Sequence, residues 1–167
     1  MNGNINIYIQ SLFVDNKFFN VNRSQFHVGS DSHLGHPGEY RLMESDTKIE
    51  IGKKCMFSSD VSFWCSDVHS VVDRQTGTLL NRPVDIVIGD RVWIGKNVTF
   101  NKNTSVADHS IVGQHSLVTK KFTQPHIVIA GNPARMVKED IDWHWSPPSL
   151  YNESNVALSP TNSDIQM

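Results

Sequence analysis

The chain has 167 residues, which is enough for one domain with a substantial core. Its net charge of -2 argues against nucleic acid or an anionic membrane as a partner, because both attract basic surfaces. The sequence contains no apolar stretch long enough to span a membrane, and the start MNGNINIYIQ lacks the charged region of a signal peptide. With only two cysteines and no disulfide framework, a cytoplasmic protein is expected.

Residues 1–27 are expected to form short strands that cap the domain, because Ile5, Ile7 and Ile9 alternate with other residues. From residue 28 onward, apolar residues recur every six positions, a period that fits neither a helix nor an alternating strand. A short loop is predicted at residues 42–48, where this period is interrupted.

The six-residue period is complete in the middle of the chain. Small or turn-forming residues follow the apolar positions, and small or β-branched residues mostly lie two positions before them. This pattern is typical of a parallel β-helix, whose coils stack and share one core. We therefore predict an all-β protein with a parallel β-helix over residues 28–124. The apolar positions are Ile88, Ile94, Phe100, Val106, Val112 and Val118.

The longest interruption separates Phe63 from Ile88. Residues 66–84 are predicted to leave the coil as a projecting loop, and such insertions often carry the binding face of a solenoid. Beyond the repeats, residues 125–145 are expected to form a turn and a short helix over the open end of the core. Residues 146–167 are rich in Ser, Asn and Pro and are expected to be a disordered tail.

His69 is the strongest candidate for chemistry because it lies in the projecting loop between Asp67 and Asp73. A histidine in a polar loop can act as a general base near neutral pH, and a neighbouring carboxylate can fix its tautomer. The sequence leaves open which of the two aspartates does so. A solvated surface histidine is the alternative. Cys65 is close enough in sequence to pair with His69, but a packing role is favoured.

Trp93 lies between two inward-facing residues and should point outward, where it needs a packing partner. His109 and His115 are six residues apart and therefore belong to different faces of a three-sided coil. They should diverge within one chain, so no metal is expected there.

Several segments resemble the hexapeptide-repeat acetyltransferases, particularly the sugar O-acetyltransferases of bacterial surface-polysaccharide and capsule clusters. The similar segments occur in the same order over residues 49–138, and they include IGDRVWIG, the His-bearing insertion SDVHSVVDRQTG and the turn AGNPA. The resemblance implies a left-handed β-helix, an exception to the usual right-handed crossover. It also implies a homotrimer with acetyl-CoA in a groove between subunits.

By the same resemblance, His69 is the catalytic base and Trp93 lies beside the thioester and the pantetheine arm. The resemblance further implies a set of residues that contact acetyl-CoA, in which Lys96 offers a backbone N–H and Arg135 and Lys138 approach the phosphates. The set is Trp93, Lys96, Gln114, Thr119, Lys120, Asn132, Pro133, Arg135 and Lys138. Gln114 departs from the family pattern because it is bulkier than the usual residue on the pantetheine path.

The expected function is acetyl transfer from acetyl-CoA to a sugar hydroxyl of a polysaccharide or its precursor, without metal and without a side-chain nucleophile. One alternative is a zinc protein similar to γ-carbonic anhydrases, in which three histidines hold the metal across a subunit interface, with His69, His109 and His115 as candidates. The other is a non-catalytic β-helix scaffold. The sequence does not identify the acceptor.

Overall fold

The chain folds as a three-sided parallel β-helix. The computed structural model describes residues 16–20 and 23–151. Successive coils contribute strands to three five-stranded sheets, so a coil strand pairs in parallel with the strand one full coil later. Sheet one contains β1 (Asn16–Asn20), β3 (Gly38–Leu42), β6 (Val61–Trp64), β9 (Thr99–Asn101) and β12 (Leu117–Val118).

Sheet two has the same construction, whereas sheet three has four parallel coil strands and one antiparallel strand. Sheet two contains β2 (Gln25–Val28), β4 (Lys48–Ile51), β7 (Ile86–Ile88), β10 (Thr104–Val106) and β13 (Lys121–Phe122). Sheet three contains β5 (Met56–Phe57), β8 (Trp93–Ile94), β11 (Ile111–Val112), β14 (Val128–Gly131) and β15 (Ala134–Lys138). We call the bend from sheet one to sheet two the first corner, from two to three the second, and from three to one the third.

Polar residues with a left-handed backbone conformation occupy the corners of the coils. Among the residues that the structure describes, thirteen other than glycine have a positive φ, most of them at the same place in successive coils. At the second corner they are Asp31, Lys54, Arg91, His109 and His126, with φ between 52° and 62°. The close stacking also requires small residues, because a Cβ on Gly95 would lie 2.6 Å from the backbone nitrogen of Gln114 in the next coil.

Inward-facing side chains form one continuous core. On sheet one, Phe18, Tyr40, Phe63 and Phe100 stack along the axis with ring centroids 4.8 to 5.3 Å apart. The six apolar residues from Ile88 to Val118 are all buried and point inward from the three sheets in turn, as the period predicts. Cys55 and Cys65 are also buried, and burial raises the pKa of their thiols to about 11 and about 12 respectively.

The β-helix extends beyond both predicted limits. Its first coil includes β1 and β2, which pair in parallel with β3 and β4, so it begins before residue 28. At the other end, β14 pairs with β11, so it continues past residue 124. Ile5, Ile7 and Ile9 of the predicted cap lie outside the described residues.

The predicted C-terminal helix is wrong. Residues 134–138 form β15, which runs antiparallel to β14 after a turn at Asn132-Pro133. The helical interpretation placed Met136 and Val137 on a covered face, but both are exposed. Pairing with β14 supplies backbone hydrogen bonds that an isolated short helix would lack. Of the predicted tail, residues 146–151 are described and include a 3₁₀ helix at Pro148–Leu150, whereas residues 152–167 lie outside the described part.

The aromatic column should be a main source of stability. We expect Phe100→Ala to lower the free energy of unfolding by about 3–5 kcal/mol, because the coils on either side cannot collapse into the space it leaves. Ser105→Ala, on the outer side of the next strand, is the control and should change it by less than about 0.5 kcal/mol. Chemical denaturation of both variants measures the difference. Equal losses would contradict the stacked core.

Candidate active site at the edges of the β-helix

The insertion leaves sheet one after β6 and returns to the coil at β7. Its ends are closed by the Val84 N–H, which donates to the carbonyl of Cys65 at 3.1 Å. Beyond this base, an antiparallel bridge joins Val72 to Leu79 and makes a short finger. The chain therefore departs from and rejoins the coil at one point, the first corner, as predicted from the interrupted period.

His69 lies at the base of the finger with its side chain exposed. The imidazole makes no hydrogen bond within the described residues, whereas the backbone N–H and the backbone carbonyl of His69 each make one. The His69 N–H donates to the Asp67 carbonyl at 2.7 Å, and the His69 carbonyl accepts from the Asn81 amide at 2.8 Å. A ring that is exposed on a fixed backbone can meet a substrate from solvent.

Neither flanking aspartate is bonded to the His69 ring. The Asp67 carboxylate accepts from Lys102 and from Asn81, and these two partners hold its pKa below the usual range. The Asp73 carboxylate accepts from the backbone of Thr76 at 2.7 Å and from that of Gln75 at 3.0 Å, which fixes the tip of the finger. Asp67 supports the loop near His69, while Asp73 builds a turn farther along it.

Trp93 points outward from sheet three, as predicted, and is 36% exposed. Its partner is Trp143, whose ring centroid lies 6.2 Å away. Trp143 is buried and donates its Nε1–H to the backbone carbonyl of Arg91 at 2.6 Å. Its ring centroid lies 5.1 Å from that of Trp145. The segment after β15 therefore returns along the coil and covers one side of Trp93. We call residues 139–146 the strap.

A polar cluster fastens the strap at the second corner. Nδ1 of His109 lies 3.4 Å from the Asp142 carboxylate, and the Arg91 guanidinium contacts both His109 and Asp142. His126 stacks on His109, with ring centroids 4.7 Å apart. The side-chain ligand atoms of His109, His126 and Asp142 lie within 4.8 Å of one another, a spacing that suits a metal ion. The Arg91 guanidinium, however, already places a positive charge against two of these groups.

The Asp142 pKa reflects this setting. Partial burial raises it, but the Trp143 backbone N–H and the charges of Arg91 and His109 outweigh burial, so the pKa lies below the usual range. His69, His109 and His115 lie at the first, second and third corners respectively. These three histidines are therefore apart within one chain, and a zinc site that used all of them would lie between chains.

The predicted acetyl-CoA residues other than Trp93 occupy two regions. Lys96 and Gln114 lie at the third corner in successive coils, where Lys96 Nζ is 3.5 Å from the Asp60 carboxylate. The turn at Asn132-Pro133 lies one coil farther along the same edge, and Arg135 and Lys138 are exposed on β15. Thr119 and Lys120 lie at the first corner, where Lys120 Nζ is 5.2 Å from the ring centroid of Phe122.

His69 and most of the predicted acetyl-CoA residues therefore lie on opposite edges of sheet one. The segment between these corners that contains β9 runs from Asn97 to Asn103, which corresponds to roughly 20 Å of extended chain. Within a single chain, the imidazole at the first corner is remote from Lys96 and Gln114 at the third.

Three residues near these sites were not predicted from the sequence. Asn81 and Lys102 hold the base of the insertion, and Trp143 covers Trp93. Asn81 lies in the turn-like segment NRP, which identifies a turn but not its partners. The tryptophan-rich segment DWHW indicates a packed element, although not the surface it covers.

Known proteins with a six-residue repeat are similar to this chain. Residues 85–120 match the bacterial transferase hexapeptide family (six repeats). A polysialic acid O-acetyltransferase of Neisseria meningitidis is 39% identical over 106 residues, which cover 64% of this chain and 49% of that protein. One from Escherichia coli O1:K1 / APEC is 39% identical over 104 residues, covering 62% and 34% respectively. The chain thus spans half or less of the length of these curated relatives.

Solved structures show the same architecture. The polySia-specific acetyltransferase NeuO aligns with a TM-score of 0.71 at 28% identity, covering 82% of this chain and 68% of that one. The polysialic acid O-acetyltransferase OatWY aligns with a TM-score of 0.72 at 27% identity, covering 86% and 70%. The predicted left-handed β-helix is confirmed, and the chain is similar in sequence and in fold to hexapeptide-repeat acetyltransferases. Among the described residues, no helix is long and apolar enough to cross a bilayer.

The strap should depend on Arg91. We expect Arg91→Ala to expose Trp143, because it removes the contacts of the guanidinium with Asp142, His109 and the Trp143 carbonyl. Tryptophan emission should shift to longer wavelength and acrylamide quenching should increase, with Arg91→Lys intermediate. Arg74→Ala, which changes an exposed arginine of the insertion, is the control. An unchanged Arg91→Ala spectrum would contradict this attachment.

Proposed function

We propose that this protein is an acetyl-CoA-dependent O-acetyltransferase that acetylates a sugar hydroxyl of a bacterial polysaccharide or its precursor. The observation that carries the proposal is the fixed insertion at the first corner, which presents the unbonded imidazole of His69. Its support is the similarity to O-acetyltransferases in both sequence and fold. The buried, unpaired thiols favour a reducing compartment, so we place the reaction in the cytoplasm.

In this mechanism His69 is the general base. Its unprotonated ring nitrogen accepts the proton of the sugar hydroxyl while the hydroxyl oxygen attacks the thioester carbonyl. A new C–O bond forms, the C–S bond breaks, and protonated His69 returns the proton to the departing thiolate. Backbone N–H groups of the coil near Lys96 stabilise the negative charge on the carbonyl oxygen.

Direct transfer fits the absence of an activated nucleophile among the described cysteines. The Cys65 thiol is the closer in sequence to His69, but it is buried and its pKa is raised to about 12. Such a thiol holds almost no thiolate at neutral pH. The acetyl group therefore passes from the thioester to the sugar without an acyl-enzyme.

The groove for acetyl-CoA forms between two copies of the chain in a homotrimer. The separation of roughly 20 Å across sheet one supports this arrangement, because one chain cannot bring its own His69 to its own third corner. In the trimer, the first corner of one copy faces the third corner of its neighbour. Trp93, Lys96 and Gln114 of that neighbour line the thioester and pantetheine path, while Asn132, Pro133, Arg135 and Lys138 continue the groove toward the phosphates. Thr119 and Lys120 close it from the first corner.

The acceptor class we favour is a sialylated glycan, because the two bacterial relatives are polysialic acid O-acetyltransferases. Such an acceptor carries carboxylates. Exposed Arg74 and Arg82 of the insertion lie on the same projection as His69, and Lys120 and Lys121 lie at or next to the same corner. Cations near His69 would attract and orient an anionic chain.

Loss of the base should slow turnover strongly and leave acetyl-CoA binding intact. We expect His69→Ala to lower kcat by about 10²–10⁴-fold, the usual contribution of general acid–base catalysis. The dissociation constant for acetyl-CoA should stay near that of the wild type. The kcat is measured as thiol release from acetyl-CoA with a panel of sugars and sialylated oligosaccharides. Calorimetric titration with acetyl-CoA measures the dissociation constant. His27→Ala, on the outer side of sheet two, is the control.

Wild-type turnover by His69→Ala on a verified acceptor would overturn the mechanism. Failure of the wild-type protein to bind acetyl-CoA would instead favour a scaffold.

Mixed trimers test whether the site lies between copies. His69→Ala lacks the base, and Gln114→Trp obstructs the groove, so each variant alone should be inactive. When the two are expressed together, roughly a quarter of the sites pair an intact His69 with an intact groove, and activity should recover to about that fraction. Differently tagged chains verify that mixed assemblies form. Mixed assemblies with no more activity than either variant would contradict a shared site.

A further inference from the structure

Asn81 links both sides of the His69 segment. Its Nδ2 donates to the Asp67 carboxylate at 2.7 Å and to the His69 carbonyl at 2.8 Å, while its Oδ1 accepts from the Val71 N–H at 2.7 Å. One amide therefore contacts the residues two before and two after His69 as well as His69 itself. These bonds fix the orientation of the amide, because a carboxylate and a carbonyl can only accept and a backbone N–H can only donate.

Lys102 fastens this arrangement to the rigid coil. Its ammonium group contacts the Asp67 carboxylate and donates to the backbone carbonyl of Asn81 at 3.0 Å. The Lys102 side chain is only 20% exposed, and it lies between β9 and β10 in the coil after the one the insertion leaves. The backbone around His69 is therefore tied to a neighbouring coil through two polar side chains.

The His69 imidazole makes no hydrogen bond of its own within the described residues. Its direction therefore depends on where the backbone of residue 69 is held. A small displacement of a catalytic group can cost about 10²-fold in rate. The contact from Asn81 to the His69 carbonyl is the one side-chain bond in the described structure that acts on this backbone directly.

We propose that Asn81 is the positioning residue of the active site: it holds the His69 backbone so that the imidazole points to the acceptor hydroxyl. This inference rests on the proposed acetyl transfer. Asn81 acts through His69 and is not itself a group that touches the reacting atoms.

The first test compares Asn81→Ala with Asp73→Ala. Asn81→Ala should lower kcat by about 10–100-fold, with the KM for acetyl-CoA near the wild-type value because the proposed groove residues are untouched. Asp73→Ala breaks only the turn at the finger tip, so its kcat should stay within about twofold of the wild type. Wild-type kcat in Asn81→Ala, or an equal loss in Asp73→Ala, would overturn the proposal.

The second test exchanges the paired side chains. In the double variant Asp67→Asn/Asn81→Asp, an amide again faces a carboxylate, and the Val71 N–H keeps an acceptor. Lys102 loses the carboxylate of Asp67, and the His69 carbonyl loses its donor. We expect a kcat as low as that of Asn81→Ala. Recovery of kcat would show that the His69 carbonyl bond is unimportant and would overturn the positioning role.

A readout independent of catalysis separates this inference from the proposed function. Amide hydrogen exchange over residues 67–72 should be faster in Asn81→Ala than in the wild type, with the largest change at Val71, and unchanged in Asp73→Ala. If the wild-type protein transfers no acetyl group, the proposed function fails while this comparison still reports whether Asn81 orders the segment. Equal exchange in Asn81→Ala and the wild type would overturn the positioning role whatever the activity.

Discussion

The structure depends on the stacking of one coil on the next in register. Each strand of the coils bonds to the strand one full coil away, so inward side chains stack on one another, as in the column from Phe18 through Tyr40 and Phe63 to Phe100. This arrangement requires an apolar residue at every sixth position, a small residue where backbones approach closely, and a positive φ at the corners. A large side chain at Gly95 or a polar one at Phe100 would disturb two neighbouring coils as well as its own.

The same constraint decides where function can lie. The coil interior is filled and its faces are regular, so residues that meet substrates must lie at corners or on insertions. The insertion at the first corner carries His69 and is tied back to the coil through Asn81 and Lys102. The strap covers one side of Trp93 and is fastened by Arg91 at the second corner. Because the proposed site combines the first corner of one copy with the third corner of another, the protein must assemble into oligomers to be active.

Much of the fold could be predicted from the sequence, since stacking imposes the period that the residues display. The inward column from Ile88 to Val118, the insertion carrying His69 and the outward Trp93 all follow from it. The strand β15 could not be predicted in this way, because its conformation depends on pairing with the open edge of β14 and not on the spacing of its own apolar residues. The roles of Asn81 and Lys102 were equally hidden: Lys102 meets Asp67 across 35 residues of sequence, and neither residue type identifies its partner.

A crystal structure with bound coenzyme A tests the shared site between copies most directly, because it locates the thiol relative to His69 and identifies the chains that hold it. We expect the thiol within hydrogen-bonding reach of His69 of one copy, with the pantetheine arm passing Trp93 and Gln114 of its neighbour. A coenzyme held along a single chain, or a thiol remote from every His69, would contradict this arrangement.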